Sequence, residues 1–127
     1  MNHTPINALI VEDDPSSAEA LAETLALYDI HPTSLPDAEQ ALLLIPHTRP
    51  DVLLIDIWLS GQMTGLDLLA CLHDRYDSTI PAVAISAFMD EQMAYDLRKR
   101  GFAACFRKPF EAELIVATIR HLVEHHE

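Results

Sequence analysis

Apolar residues in this chain form short unbroken runs that alternate with stretches where they recur every three or four positions. The first run, Asn7-Ala8-Leu9-Ile10-Val11, ends in Glu12-Asp13-Asp14. Such a run, bounded by polar residues, reads as a strand buried on both faces of a parallel sheet. Pro15 suits the first turn of a helix, where a missing N–H loses no partner. Ala18, Leu21, Ala22 and Leu25 then follow at helical spacing. Ile30 to Leu35 reads as a second strand, and Pro32 confines it to a sheet edge because proline cannot donate to the ladder. Pro36-Asp37 opens a second helix through about Ile45, which Pro46 is expected to break. Val52-Leu53-Leu54-Ile55 is a third strand, and it runs into Asp56. Thr64-Gly65 begins a third helix carrying Leu66, Leu69, Leu72 and Tyr76. Pro81 to Ser86 is a fourth strand. Asp90 to Arg100 is a fourth helix with a thin apolar face (Met93, Ala94, Leu97), and Gly101 is its stop. Ala103 to Phe106 is a fifth strand, ahead of Lys108-Pro109. Glu111 to about His125 is the last helix, with Leu114, Ile115, Thr118, Ile119 and Leu122 along one side.

Five strand–helix units in strict alternation predict an α/β fold, a doubly wound five-stranded parallel sheet. In such sheets the reactive crevice lies outside the carboxyl ends of the strands. Every strand except the edge one ends there in a polar group: Glu12 and Asp13, Asp56, Ser86 and Lys108. All five residues are therefore expected at one edge.

Composition narrows the setting. With 127 residues the chain is expected to be one domain, residues 1–127 with a core of about 7–122. No apolar run approaches the roughly 20 residues that span a bilayer, and the first residues carry no basic-then-apolar leader. Cys71 and Cys105 are far apart and form no metal or disulfide pattern, which suits a reducing cytoplasm. The formal charge of −12 argues against direct nucleic-acid or anionic-membrane binding by this domain. Five of the 8 basic residues, Arg98, Lys99, Arg100, Arg107 and Lys108, fall in one stretch. The first three read as a basic last turn that complements the helix dipole. His121 and His125 are i, i+4 on the last helix with no third ligand near them in sequence, and read as a solvated face. Cys105 reads as a buried, inert strand cysteine.

Three carboxylates drawn together need protons or a cation among them. A small set of hard oxygens, with room for water and phosphate, suits Mg²⁺ or Mn²⁺. A lysine and a hydroxyl alongside would bind the remaining oxygens of a phosphoryl group. Asp56 would then be a nucleophile of the aspartyl-phosphate type.

The chain resembles the receiver domain of two-component response regulators over nearly its whole length, from Asn7 to Leu122. The resemblance rests on Leu9-Ile10-Val11-Glu12-Asp13-Asp14, Leu54-Ile55-Asp56, Ala84-Ile85-Ser86-Ala87 and Lys108-Pro109-Phe110, in that order. It implies a flavodoxin-like sheet of order 2-1-3-4-5. It also implies that Asp56 is the phosphoacceptor, that Asp13 is the direct metal ligand and that Glu12 holds the ion through water. The Trp58 backbone carbonyl becomes the third protein ligand. Ser86 and the Ala87 N–H bind the phosphoryl group together with Lys108, whose bond to Pro109 is typically cis. Asp14 is not a ligand. The implied donor is a histidine kinase or histidine phosphotransfer protein. The implied output surface is helix 4, strand 5 and helix 5, read by a downstream partner, an effector or a second copy. The protein would catalyse only its own phosphorylation and dephosphorylation.

Some positions depart from the family pattern. Gly65 lies one residue further from Asp56 than usual, so the intervening loop is longer. Cys105 stands where many receivers carry an aromatic switch residue, and Phe106 beside it should point to the opposite face. Trp58 and Phe88 would flank the approach of a hydrolytic water without orienting it, so slow self-dephosphorylation is expected. Two other classes fit less well. An aspartyl-phosphate phosphohydrolase would need a second Asp where Trp58 stands. A flavin module would have to seat its phosphate against Glu12-Asp13-Asp14. With no effector sequence alongside, the chain is either a stand-alone receiver or part of a longer protein.

Overall fold

A computed structural model describes residues 5–76 and 79–125. Met1–Thr4 and the side chain of Tyr76 lie outside the described residues. The elements run β1 (Ile6–Val11), α1 (Pro15–Leu27), β2 (Ile30–Leu35), α2 (Ala38–Thr48), β3 (Val52–Asp56), α3 (Gly65–Tyr76), β4 (Ala82–Ser86), α4 (Glu91–Lys99), β5 (Ala104–Arg107) and α5 (Ala112–Glu124). The strands form one sheet of order β2-β1-β3-β4-β5, and each neighbouring pair is parallel. The expected doubly wound fold is thus observed, and β2, with its proline, lies at an edge.

Alternation along each strand divides the core. Leu9, Val11, Leu53, Ile55 and Ala84 face α2, α3 and α4, where Ala41, Ile45, Leu68, Leu72 and Leu97 meet them. Ala8, Ile10, Leu54, Val83 and Ile85 face the other way, against Leu21 and Leu25 of α1 and Ile115, Val116 and Ile119 of α5. Burying each Leu, Ile or Val among these contributes about 1.5–3 kcal/mol, so both helical layers are held by the same mechanism. Cys105 packs on the first face and Phe106 on the second, as strand geometry requires.

Aspartates start three of the helices. Asp14, Asp37 and Asp90 accept from the backbone N–H of Ser17, Gln40 and Met93 at 3.1, 2.8 and 2.8 Å. Each such cap is worth about 1 kcal/mol. At α3 the exchange is reciprocal: the Asp67 amide donates to Thr64 Oγ1 and the Thr64 amide donates to Asp67 Oδ2.

Two expectations fail. α2 does not stop at Pro46 but continues to Thr48. The proline stands in the last turn, so it costs little of the ladder, and the helix still closes with the Arg49 amide on the Ile45 carbonyl at 2.9 Å. Arg49 itself then turns left-handed (φ 46) and ends it. On α5, Leu114 is 56% exposed, and Val116 takes the buried place instead. The seam follows Ile115, Val116 and Ile119, and Leu114 lies beside it. The stripe through Leu114 and the one through Val116 both have helical spacing, and only the position of the sheet distinguishes them.

Candidate functional site

The carboxyl ends of β1, β3 and β5 bring together the charged residues expected there. One carboxylate oxygen each from Glu12, Asp13 and Asp56 lies within 4.8 Å of the others, the one such acidic group among the described residues. Lys108, just past β5, pairs with Glu12 Oε1 and lies 3.3 Å from Asp56 Oδ2. Its ammonium serves as the counter-ion of the cluster in this structure.

Backbone amides fix the carboxylates. Trp58 N–H donates to Asp56 Oδ1 at 3.0 Å, Ser60 N–H to Asp13 Oδ2 at 2.9 Å and Asp14 N–H to Glu12 Oε2 at 3.3 Å. The sheet fixes the chain around them: Ile57 N–H reaches the Ile85 carbonyl and Lys108 N–H the Ser86 carbonyl. The Lys108–Pro109 peptide bond is cis.

Burial and charge act unequally on these groups. Burial first, and then a hydrogen bond to Asp56 and its negative charge, push the Glu12 carboxyl up to about 7, against Lys108 and the Asp14 amide. Burial opposes the Lys108 charge, but the Glu12 and Asp56 carboxylates together outweigh it and hold the ammonium above the usual lysine value. Burial likewise opposes ionisation of Asp13, yet hydrogen bonds from the Ser60 hydroxyl and amide keep its carboxyl below the ordinary range.

Ser86 is not among the groups in contact. Its buried hydroxyl donates to the Phe88 carbonyl at 2.9 Å and accepts from the Phe88 amide at 3.1 Å. Ala87 is exposed. Trp58 and Phe88 are 60% and 76% exposed, so neither ring covers Asp56 as a closed lid.

The response regulator receiver domain family matches residues 8–120. The chain belongs to that family. It is 34% identical over 119 residues to the DNA-binding response regulator MtrA of Mycolicibacterium smegmatis, covering 94% of this chain and 51% of MtrA. It is 35% identical over 116 residues to the nitrogen assimilation regulatory protein NtrX of Azorhizobium caulinodans, covering 90% of this chain and 25% of NtrX. In structure it is similar to a putative response regulator from Chloroflexus aurantiacus, with a TM-score of 0.88 and 26% identity, covering 96% of this chain and 100% of that one. The chain thus spans about half of MtrA and a quarter of NtrX. MtrA is named as DNA-binding, and the charge of −12 bears on this domain alone.

Receiver domains are phosphoacceptor switches rather than conventional enzymes, and the acidic cluster of this receiver is of the oxygen-rich kind that takes Mg²⁺. The receiver also uses residues the sequence did not single out. Ser60 orients Asp13 across 47 positions, and Glu39 Oε1 accepts from the Met63 amide at 3.0 Å, anchoring the loop after β3 to α2. Neither has a local sequence signal, because both act through long-range contacts. Asp14, set aside as a ligand, is the N-cap of α1, and the Asp-Pro-Ser-Ser order around it is the readable sign. Cys105 is half-buried rather than buried, with Sγ 3.8 Å from the Ala94 carbonyl. Burial raises its thiol pKa, partly offset by Arg98.

Proposed function

We propose that this receiver accepts a phosphoryl group on Asp56 from a phosphohistidine of a histidine kinase or phosphotransfer protein, and so changes a surface read by a partner. The observation that supports this best is the convergence of the Glu12, Asp13 and Asp56 carboxylates with the Lys108 ammonium at one sheet edge. An Asp56 oxygen attacks phosphorus, and the P–N bond to the imidazole breaks. The ring nitrogen keeps the electron pair and takes a proton from solvent. The Trp58 amide on Oδ1 and the Lys108 ammonium on Oδ2 hold the Asp56 carboxylate in place for that attack.

Glu12, Asp13, Asp56 and the Trp58 backbone carbonyl would hold Mg²⁺ or Mn²⁺; three hard carboxylate oxygens fit such an ion. When bound, the ion neutralises charge on the transferring group. Lys108 does the same from the β5 side. Ser86 Oγ and the Ala87 N–H bind phosphoryl oxygens once Ser86 gives up its bonds to Phe88. With no polar side chain at 58 or 88 to orient water, self-dephosphorylation is slow.

The output face is α4, β5 and α5. α4 buries only Leu97 and leaves Tyr95 53% exposed, with Lys99 over its ring at 4.8 Å. A downstream partner, an effector or a second copy would read that face. Residues 1–127 act as a single receiver unit, in the cytoplasm. Among the described residues no helix is long and apolar enough to cross a membrane.

The test is acetyl phosphate with Mg²⁺, read by intact mass. The native protein gains one stable phosphoryl group, and Asp56→Asn gains none while its circular dichroism is unchanged. Uptake by the variant at the native rate overturns the assignment. Turnover without a stable adduct points to a phosphohydrolase instead.

A further inference from the structure

The edge of the sheet opposite the acidic cluster carries three histidines that sequence spacing alone does not unite. His73 is in the last turn of α3, His121 is in the last turn of α5, and His125 is its C-cap. All three line one cavity of about 310 Å³, together with Pro81, Gly101 and Ala103. All three are exposed, so a solute ion reaches them without opening the core.

Two of the rings are already paired. The His121 and His125 centroids are 4.3 Å apart with an interplanar angle of 34°. His125 Nδ1 lies 2.9 Å from the His121 carbonyl oxygen. A backbone carbonyl there selects the tautomer with the proton on Nδ1 and leaves the Nε2 lone pair free. That second contact is typical of metal-binding histidines. Histidines at i and i+4 on a helix also present both rings on one side, the spacing used in helical zinc sites.

The third ring comes from the other side of the sheet. His73 packs where Gly101 has no side chain: a Cβ there would stand 2.8 Å from His73 Cε1. Gly101 also holds φ +114, so the position resists a larger residue on two counts. The three rings share the cavity without yet meeting at one point. Their ligand nitrogens do not all lie within 4.8 Å of one another, so an ion would have to draw them together, and exposed side chains rotate fast.

We propose that His73, His121 and His125 form a second cation site, for a late first-row divalent ion such as Zn²⁺, that clasps α3 to α5 across the start of β4 and β5. Imidazoles prefer such ions, whereas the carboxylate site prefers Mg²⁺, so ligand chemistry sorts the two ions to opposite edges. Water completes a tetrahedral shell. The charge of −12 raises the local concentration of any cation. Because α3 and α5 pack on opposite faces of the sheet, a bridge between them would tie the two helical layers together and stabilise the fold by linkage.

Calorimetric titration with ZnCl₂ in saturating Mg²⁺, which occupies the acidic site, tests this. One zinc binds per chain and raises the melting temperature. His73→Ala, His121→Ala and His125→Ala each weaken it roughly tenfold or more, as loss of a ligand should. Asp13→Asn and His126→Ala leave the affinity as it was. Undiminished binding in His73→Ala overturns the three-residue site, as does loss with Asp13→Asn or with His126→Ala alone. Circular dichroism of each variant keeps loss of fold apart from loss of ligand.

Discussion

Lys108 Nζ lies 3.3 Å from Asp56 Oδ2 and is bonded at the same time to Glu12, 96 residues away in sequence. One ammonium therefore neutralises carboxylates from two different strands. It also competes for them with any metal ion.

Lys108→Ala should separate metal binding from phosphoryl transfer. Removing a like charge beside the ion tightens Mg²⁺ binding, by about tenfold for a loss of repulsion near 1–2 kcal/mol. Phosphoryl uptake falls because a charge that stabilises transfer is gone. The single tryptophan, Trp58, reports the titration by fluorescence, and intact mass reports the uptake. Weaker Mg²⁺ binding in the variant would refute the competition.

Glu12 should make the metal-free protein less stable as pH rises. Its carboxyl stands at about 7 in the fold against 4.5 as an ordinary glutamate. Between those values the native state binds more protons than the unfolded state, so unfolding free energy falls with rising pH. The contribution is fully present below 4.5 and is lost as pH rises through 7. It amounts to something on the order of 1–3 kcal/mol. Urea unfolding with chelator at about pH 5.5 and about pH 8 should show it. Glu12→Gln should flatten the difference.

Gly65→Ala should damage both stability and the site. A Cβ there would stand 2.6 Å from the Asp56 carbonyl oxygen, 2.9 Å from Ile55 Cγ2 and 3.1 Å from Ile57 Cα. Two of those three atoms belong to backbone fixed in or beside β3, which cannot move aside without moving Asp56. A loss of about 2 kcal/mol or more is expected in urea, with reduced phosphoryl uptake in the variant that still folds. A neutral substitution would mean that the loop after β3 relocates freely.

Fluoroberyllate should change amide exchange most across residues 87–100. Ser86 must release both bonds to Phe88 to turn toward a phosphoryl group, and α4 beyond it is held by one buried residue, Leu97. Cys105 is too small to fill space that Ser86 vacates, so the loop and helix carry the change. Equal exchange there in both states would exclude this route.

The order of strands and helices was legible along the chain, because buried parallel strands read as continuous apolar runs and helices as stripes. Glu12, Asp13, Asp56 and Lys108 were legible as well. A residue that follows a buried strand has only one edge to occupy, so their convergence follows from the topology. Side-chain partners were not legible. That Ser60 holds Asp13, that Glu39 anchors the loop and that His73 shares a cavity with His121 and His125 depend on the placement of residues remote in sequence. Leu114 and Val116 illustrate the same limit: their periodicities are equally helical, and only the sheet decided which one is buried. Pro46 adds the converse, a local rule overruled because closing the last turn of α2 needs the Arg49 amide rather than the one proline lacks. Local patterns determined the elements and their ends; packing in three dimensions decided which groups touch.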